Sequence, residues 1–167
     1  EYCVNTPGLS AFTLFALIGE CPGRNYRGFL DFETYERVWK RFGTAVIDGE
    51  KQRKMVGAEG IRHGFNPARR ALLFTIGTAL MRTEGPYRDL YLKYKQEERE
   101  KVEARGLNIL PTASITKKNR ETSFPLGQIH SRAQRKMEKQ LLVDIWKIWW
   151  KGKQTPLQKF LEEKWAA

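Results

Sequence analysis

Apolar residues recur at helical spacing along most of the chain, and Pro, Gly and Asn divide the periodic stretches. Thr6 to Glu20, "TPGLSAFTLFALIGE", predicts a Pro7-Gly8 turn feeding a short helix. Leu9, Phe12, Phe15 or Ala16, and Ile18 or Gly19 would face inward. After the loop "CPGRNYRG", Asp31 is placed as the N-cap of "DFETYERVWKRFG", with Phe32, Tyr35, Val38 or Trp39 and Phe42 buried and Gly43 as the stop. Thr44 to Ile47 then alternates and meets Asp48-Gly49, the signature of a two-residue hairpin turn. The return strand carries Lys51, Arg53 and Lys54; Lys51 and Arg53 share a face by the two-residue period.

"GFNPARRALLFTIGTALMR" predicts a helix capped by Asn66 with Pro67 at its first position; Leu72 or Leu73, Ile76, Ala79 and Leu80 face a core. Gly77 costs a helix interior about 1 kcal/mol against alanine, which points to another backbone packed closely there. "GPYRDLYLKYKQEEREKVEARG" follows as an amphipathic helix, with Tyr87, Leu90 or Tyr91, and Tyr94 inward, a solvated charged end, and Gly106 as its stop. Residues 106–127 show no sustained period and are expected to form a long surface loop. The tail 152–167 is a short helix capped by Thr155 with Pro156 at its first position.

Between loop and tail, "HSRAQRKMEKQLLVDIWKIWW", His130 to Trp150, joins two kinds of helix. Ala133, Met137, Leu141 and Ile145 keep one apolar stripe running toward Ile148. The other face is cationic first, through Arg132, Arg135, Lys136 and Lys139, then apolar through Leu142, Trp146, Trp149 and Trp150. A segment greasy on all sides is surrounded by protein. The rear half is therefore expected to be an anchor, and the front half to present charge outward. The fold class that results is mainly α: a helical domain over residues 1–151 with a helix-hairpin-helix-like turn and one small β-hairpin, followed by the tail.

At 167 residues, 41% hydrophobic and 12% aromatic, the chain can build a core, and no apolar run approaches a membrane span. Cys3 and Cys21 make no disulfide framework, so reduced thiols and a cytoplasmic location are expected. The opening residues, "EYCVNTPG", carry neither methionine nor a charged region before an apolar one. The chain is therefore expected to be the C-terminal part of something longer.

Charge changes the picture. The formal net charge is +11, and the excess is clustered. Lys51, Arg53, Lys54, Arg62, Arg69, Arg70 and Arg82 face only Glu59 within their stretch, and Lys117, Lys118, Arg120, Arg132, Arg135, Lys136 and Lys139 face only Glu121 and Glu138. Two such blocks point to a polyanion, DNA or RNA. Arg69 and Arg70 also stand in the first turn of their helix, the partly positive end. A bound phosphate would compensate, as would one arginine folding onto Glu59 or stacking on Phe65. Gly8 and Ser10, in the "TPGLS" turn, have the place of the residues whose backbone N–H groups grip a phosphate in a helix-hairpin-helix element.

Catalytic constellations are poor. His63 and His130 stand far apart with no metal-ligand spacing, and no carboxylates gather on apolar strands. Of the serines only Ser131 neighbours a histidine, His130, and adjacent helical residues do not face each other. Ser131 with Gln134 is better read as a capping box. His130 joins the cations beside it as a candidate nucleic-acid contact.

The blocks "PGLSAFTLFALIGE", "VWKRFGTAVIDGEKQRKMVGAEG", "FNPARRALLFTIGTALMR", "YRDLYLKYK" and "GQIHSRAQRKMEKQLLVDIWKIWW" occur in that order. Together they resemble the C-terminal domain of DEDD-class insertion-sequence transposases, the family of the pilin-gene invertase and the bridge-RNA-guided recombinases, over most of residues 4–150. The resemblance implies a largely helical domain that binds DNA or guide RNA and oligomerises. It also implies a preceding RuvC-like nuclease domain whose metal-binding acids are not in this chain; magnesium would belong there, and no cofactor is expected here. Active members carry a catalytic serine between the "PGLS"-like turn and the "NPARR"-like helix, whereas Ala11 to Arg70 contains none. The expectation is thus a nucleic-acid-binding domain of a transposase-like protein, not catalytic alone. The alternatives are an active recombinase domain supplying a serine nucleophile, and a non-catalytic RNA-binding or assembly protein. A homo-oligomer through the Trp-rich helix is expected, and no membrane.

Overall fold

The structure, a computed structural model, describes residues 6–20, 32–54 and 64–151, with Trp150 and Lys151 described by backbone alone. Cys3, Cys21, Asp31, Glu59, Arg62, His63 and the tail with its Thr155 cap lie outside the described residues. The described chain is mainly helical: α1 (Ala11–Gly19), α2 (Tyr35–Arg41), the strands β1 (Val46–Ile47) and β2 (Glu50–Lys51), α3 (Pro67–Arg82), α4 (Pro86–Glu103), β3 (Asn108–Leu110), β4 (Ser123–Pro125) and α5 (Leu126–Lys151). They fall into two compact units. One is Glu1–Thr13 with Leu73–Lys139, the other Leu14–Leu72 with Gln140–Ala167.

In the first unit, Leu9 donates its N–H to the Thr6 carbonyl at 3.0 Å, closing the Pro7-Gly8 turn. Gly8 sits at φ +87°, and a Cβ there would lie 3.1 Å from the Ala79 carbonyl oxygen and Leu80 Cα of α3. Only glycine satisfies both demands. Ser10 begins α1 as its N-cap, its hydroxyl accepting the Thr13 N–H at 3.1 Å. Leu9 is buried as expected, but the face of α1 differs from the expected one: Leu17 is buried, whereas Phe12 and Phe15 are 82% and 72% exposed. The helix is apolar on every side, so its periodicity fits more than one phase. The inward phase runs from buried Leu9 through half-buried Thr13 to buried Leu17.

Leu73, Ile76 and Leu80 bury the inner face of α3, each side chain stabilising by about 1.5–3 kcal/mol. Gly77 is tightly packed against α5, but by side chains and not by the backbone the sequence suggested. An added Cβ would meet Glu138 Oε1 at 2.7 Å and Gln134 Nε2 at 3.2 Å. Gln134 and Glu138 are both 1% exposed; Gln134 Nε2 donates to Glu138 Oε1 at 3.0 Å and to the Phe74 carbonyl at 3.2 Å. The capping-box reading of Ser131 and Gln134 is therefore corrected. Helix α5 begins at Leu126, and mid-helix Ser131 donates instead to the Gly127 carbonyl at 2.9 Å.

Residues 106–127 are also more ordered than expected. β3 and β4 pair in parallel, Asn108 with Ser123, Ile109 with Phe124 and Leu110 with Pro125, and a single 3₁₀ turn occupies Thr112–Ser114. Such a pair needs a crossover, and residues 111–122 supply it.

In the second unit, α2 begins later than expected, at Tyr35 with extended Thr34 rather than Asp31 in the N-cap position, and ends as predicted, with Gly43 at φ +70° and the Phe65 ring filling the space a Cβ would need. Asp48 and Gly49 both take positive φ, 51° and 79°, the requirement of the hairpin turn, and Val46 pairs with Lys51. Buried Gln52 stitches the unit together, donating to the Lys40 and Gly64 carbonyls at 2.9 and 2.8 Å. The rear of α5 is an anchor as expected. Leu141, Leu142 and Ile145 are buried, and Trp146 donates to the Phe32 carbonyl at 2.8 Å with its ring edge-on to Tyr35. The stripe ends before Ile148, which is 45% exposed.

Candidate nucleic-acid interface

The hairpin keeps the alternation its sequence promised: Lys51 and Arg53 are exposed on either side of buried Gln52, and Lys54 is exposed beyond them. Arg53 meets Glu50 at 3.1 Å, but both side chains are largely in solvent, so that pair adds little and leaves the guanidinium accessible.

In the other unit, the β3–β4 crossover carries Lys117, Lys118 and Arg120, all exposed, with Glu121 as the one acid in residues 111–122. None of the three cations has an ion-pair partner among the described residues. The loop around them is held by Asn119, whose Oδ1 accepts the Thr116 N–H at 2.7 Å and whose Nδ2 donates to the Ser114 carbonyl at 3.0 Å. Sequence reading missed this latch. An Asn three residues after a Thr within a Pro- and Ser-rich connection was its signal.

The cationic half of α5 is not the outward face the sequence suggested. Lys136 donates to Glu98 of α4 at 2.7 Å and lies 5.4 Å above the Tyr94 ring. Arg132 reaches the same carboxylate at 3.5 Å and covers the Phe124 ring at 4.8 Å. Lys101 adds a third contact at 3.4 Å. Burial opposes ionisation of Glu98, but the Lys136 hydrogen bond and charge outweigh it, and the carboxyl is held below its ordinary value. Burial likewise opposes the Lys136 charge, and Glu98 reverses the outcome, so that ammonium is held above its ordinary value. Two of the four cations are thus consumed in neutralising a buried acid. The clue lay in α4: its inward series Tyr87, Tyr91, Tyr94, Val102 passes through Glu98, a carboxylate on an apolar stripe. Arg135 is half-buried, its Nε enclosed without a hydrogen-bond partner among the described residues, and Lys139 is half-buried with an interaction of its own.

His130 faces inward as well. Its Nδ1 lies 2.7 Å from the Tyr91 hydroxyl, and burial, aided by the Lys95 charge, lowers its pKa. At the start of α3, Arg69 donates to Glu20 at 2.8 Å, and Arg70 reaches the Gly43 carbonyl at 3.5 Å. At this positive helix end Arg69 is therefore compensated within the protein by Glu20, a partner the sequence did not suggest, while Glu59 lies outside the described residues. Asn66 caps that helix as predicted, through its Oδ1 and the Ala68 N–H at 2.9 Å.

The structure thus divides the sequence candidates. Lys51, Arg53, Lys54, Lys117, Lys118 and Arg120 stand in solvent; Arg69, Arg70, Arg132, Lys136 and His130 are engaged within the protein; Gly8 is packed on α3 and Ser10 caps α1. Among the described residues no cluster of His, Cys, Asp and Glu could hold a metal ion, and no helix is long and apolar enough to cross a membrane. Compared with family models, curated proteins and solved structures, the chain finds no match.

Proposed function

We propose that this chain is a nucleic-acid-binding domain, for DNA or a guide RNA, of a transposase-like protein, acting on the polynucleotide backbone rather than catalysing alone. The observation that carries the reading is the crossover loop. Three exposed cations, Lys117, Lys118 and Arg120, are held on an ordered turn, with no acid among the described residues paired to them. The exposed hairpin cations Lys51, Arg53 and Lys54 supply a second cationic element, and the net charge of +11 favours encounter with a polyanion. The transposase assignment rests on the ordered sequence blocks. A serine nucleophile from this domain is less favoured, since Ser10 is occupied as an N-cap and Ser131 bonds a backbone carbonyl. An assembly role through the Trp-rich end of α5 draws on the exposed Ile148 but not on Trp146, which is engaged by Phe32 and Tyr35.

Fluorescence polarisation with a labelled DNA duplex and an RNA hairpin, from low to moderate salt, tests the reading. Affinity should fall with a log–log slope of roughly −0.9 per phosphate contacted on duplex DNA. Affinity that does not respond to salt, or no binding at low salt, would remove it.

A further inference from the structure

The sequence of the crossover, "SITKKNRET", places two lysines between Thr116 and Asn119, with Arg120 directly after. The Asn119 side chain closes that stretch into a ring. Its carbonyl oxygen accepts from the Thr116 N–H at 2.7 Å and from the Thr116 hydroxyl at 3.3 Å, while its amide nitrogen donates to the Ser114 carbonyl at 3.0 Å. The Thr122 hydroxyl then donates to the Asn119 carbonyl at 3.3 Å, and the Asn108 N–H binds the Thr122 carbonyl at 2.9 Å, joining the loop to the strand pair. One uncharged side chain thus ties the backbone on both sides of Lys117 and Lys118.

Such a latch matters for binding more than for folding. Its bonds are exposed, so each adds little to the stability of the whole chain. A loop that must be ordered at the moment of association, however, charges that conformational entropy against affinity, and a loop ordered beforehand does not. Like-charged neighbours make the need greater: Lys117 and Lys118 repel each other, and a free loop would spread them.

We propose that Asn119 is a positioning residue for a phosphodiester-binding site on this loop, pre-ordering residues 114–119 so that Lys117, Lys118 and Arg120 meet the polynucleotide backbone together. The inference rests on the nucleic-acid reading above and adds to it a residue that carries no charge and touches no phosphate.

The full chain is compared in four forms: unaltered, Asn119→Ala, Asn119→Ser, and Lys117→Ala with Lys118→Ala. A labelled DNA duplex is the probe, titrated at several salt concentrations, and thermal melting is followed in parallel. Asn119→Ala should weaken binding roughly threefold to tenfold, the effect of losing one or two net hydrogen bonds that order the loop in advance. Its salt slope and melting temperature should stay unchanged, because every cation remains. Asn119→Ser, whose hydroxyl sits one bond nearer the backbone and cannot span Thr116 and Ser114, should weaken binding as Asn119→Ala does. The double lysine variant should weaken binding and flatten the slope by roughly 0.9 for each phosphate it no longer neutralises. If the lysine variant behaves so while Asn119→Ala binds like the unaltered chain, the positioning role is overturned and the nucleic-acid reading stands. A weakening in Asn119→Ala that tracks a fall in melting temperature overturns it too. If the double lysine variant binds with unchanged affinity and slope, the loop is not the site, and both the inference and its basis on this loop fall.

Discussion

Replacing Glu98 by glutamine keeps the side chain's shape and removes its charge, at a site where three cations converge. Glu98 is 8% exposed and accepts from Lys136 at 2.7 Å, from Lys101 at 3.4 Å and from Arg132 at 3.5 Å. The short bond from Lys136 is charge-assisted and worth about 1.5–3 kcal/mol. The two longer contacts involve partly exposed partners and add a few tenths of a kcal/mol each, in the range of surface pairs. A glutamine oxygen can still accept from Lys136, but its NH₂ group is a donor with only donors on that side. The net loss should be about 2 kcal/mol, less than the roughly 3–5 kcal/mol for stranding a charge in a dry site, because Lys136 and Arg132 can each reach water. For a chain of this size that is a fall of roughly 4–8 °C in melting temperature.

The pH dependence gives the argument a second handle. Glu98 titrates below its ordinary value of 4.5 in the folded protein, so its contribution is fully present above that range and is lost as pH falls through the depressed folded value. The gap between the unaltered chain and Glu98→Gln should therefore be constant near neutrality and close in acid. Urea unfolding followed by circular dichroism, at pH 7 and at successively lower pH, measures both. Equal stability at pH 7, or a gap that persists undiminished into acid, would refute the account of α4 and α5.

Trp146→Ala removes a hydrogen bond to the Phe32 carbonyl and an edge contact with Tyr35, and should destabilise the chain by about 3 kcal/mol by urea unfolding. A change below about 1 kcal/mol would mean the rear of α5 is not an anchor. Arg69→Gln relieves the clash with the helix dipole but breaks the part-buried pair with Glu20, so melting should fall by the equivalent of about 1 kcal/mol. A melting temperature that holds or rises would make Arg69 a candidate phosphate ligand again.

Local chemistry written into the chain determined much of this protein. Asp48-Gly49 dictates a hairpin because only that turn accommodates two residues of positive φ between antiparallel strands. Asn66 with Pro67, and Gly43 after Arg41, mark helix ends through bonds made within a few residues. The stripe Ala133, Met137, Leu141, Ile145 was legible because 3.6-residue periodicity is a property of one helix alone.

What tertiary structure decided was phase and partnership. Helix α1 is apolar all round, so no local rule said that Leu17 would be buried and Phe12 and Phe15 exposed; packing chose the phase. Arg132 and Lys136 look like a solvent-facing cationic row until Glu98, more than thirty residues earlier, is brought against them. Arg69 likewise finds Glu20 across 49 residues. Lys117, Lys118 and Arg120 gained no such partner among the described residues, and that contrast, invisible in a count of charges, separates the cations open to a polyanion from those already consumed. Periodicity and caps are short-range and survive in the sequence. Ion pairing between distant segments depends on which surfaces the fold presses together, and no window along the chain contains both halves of such a pair.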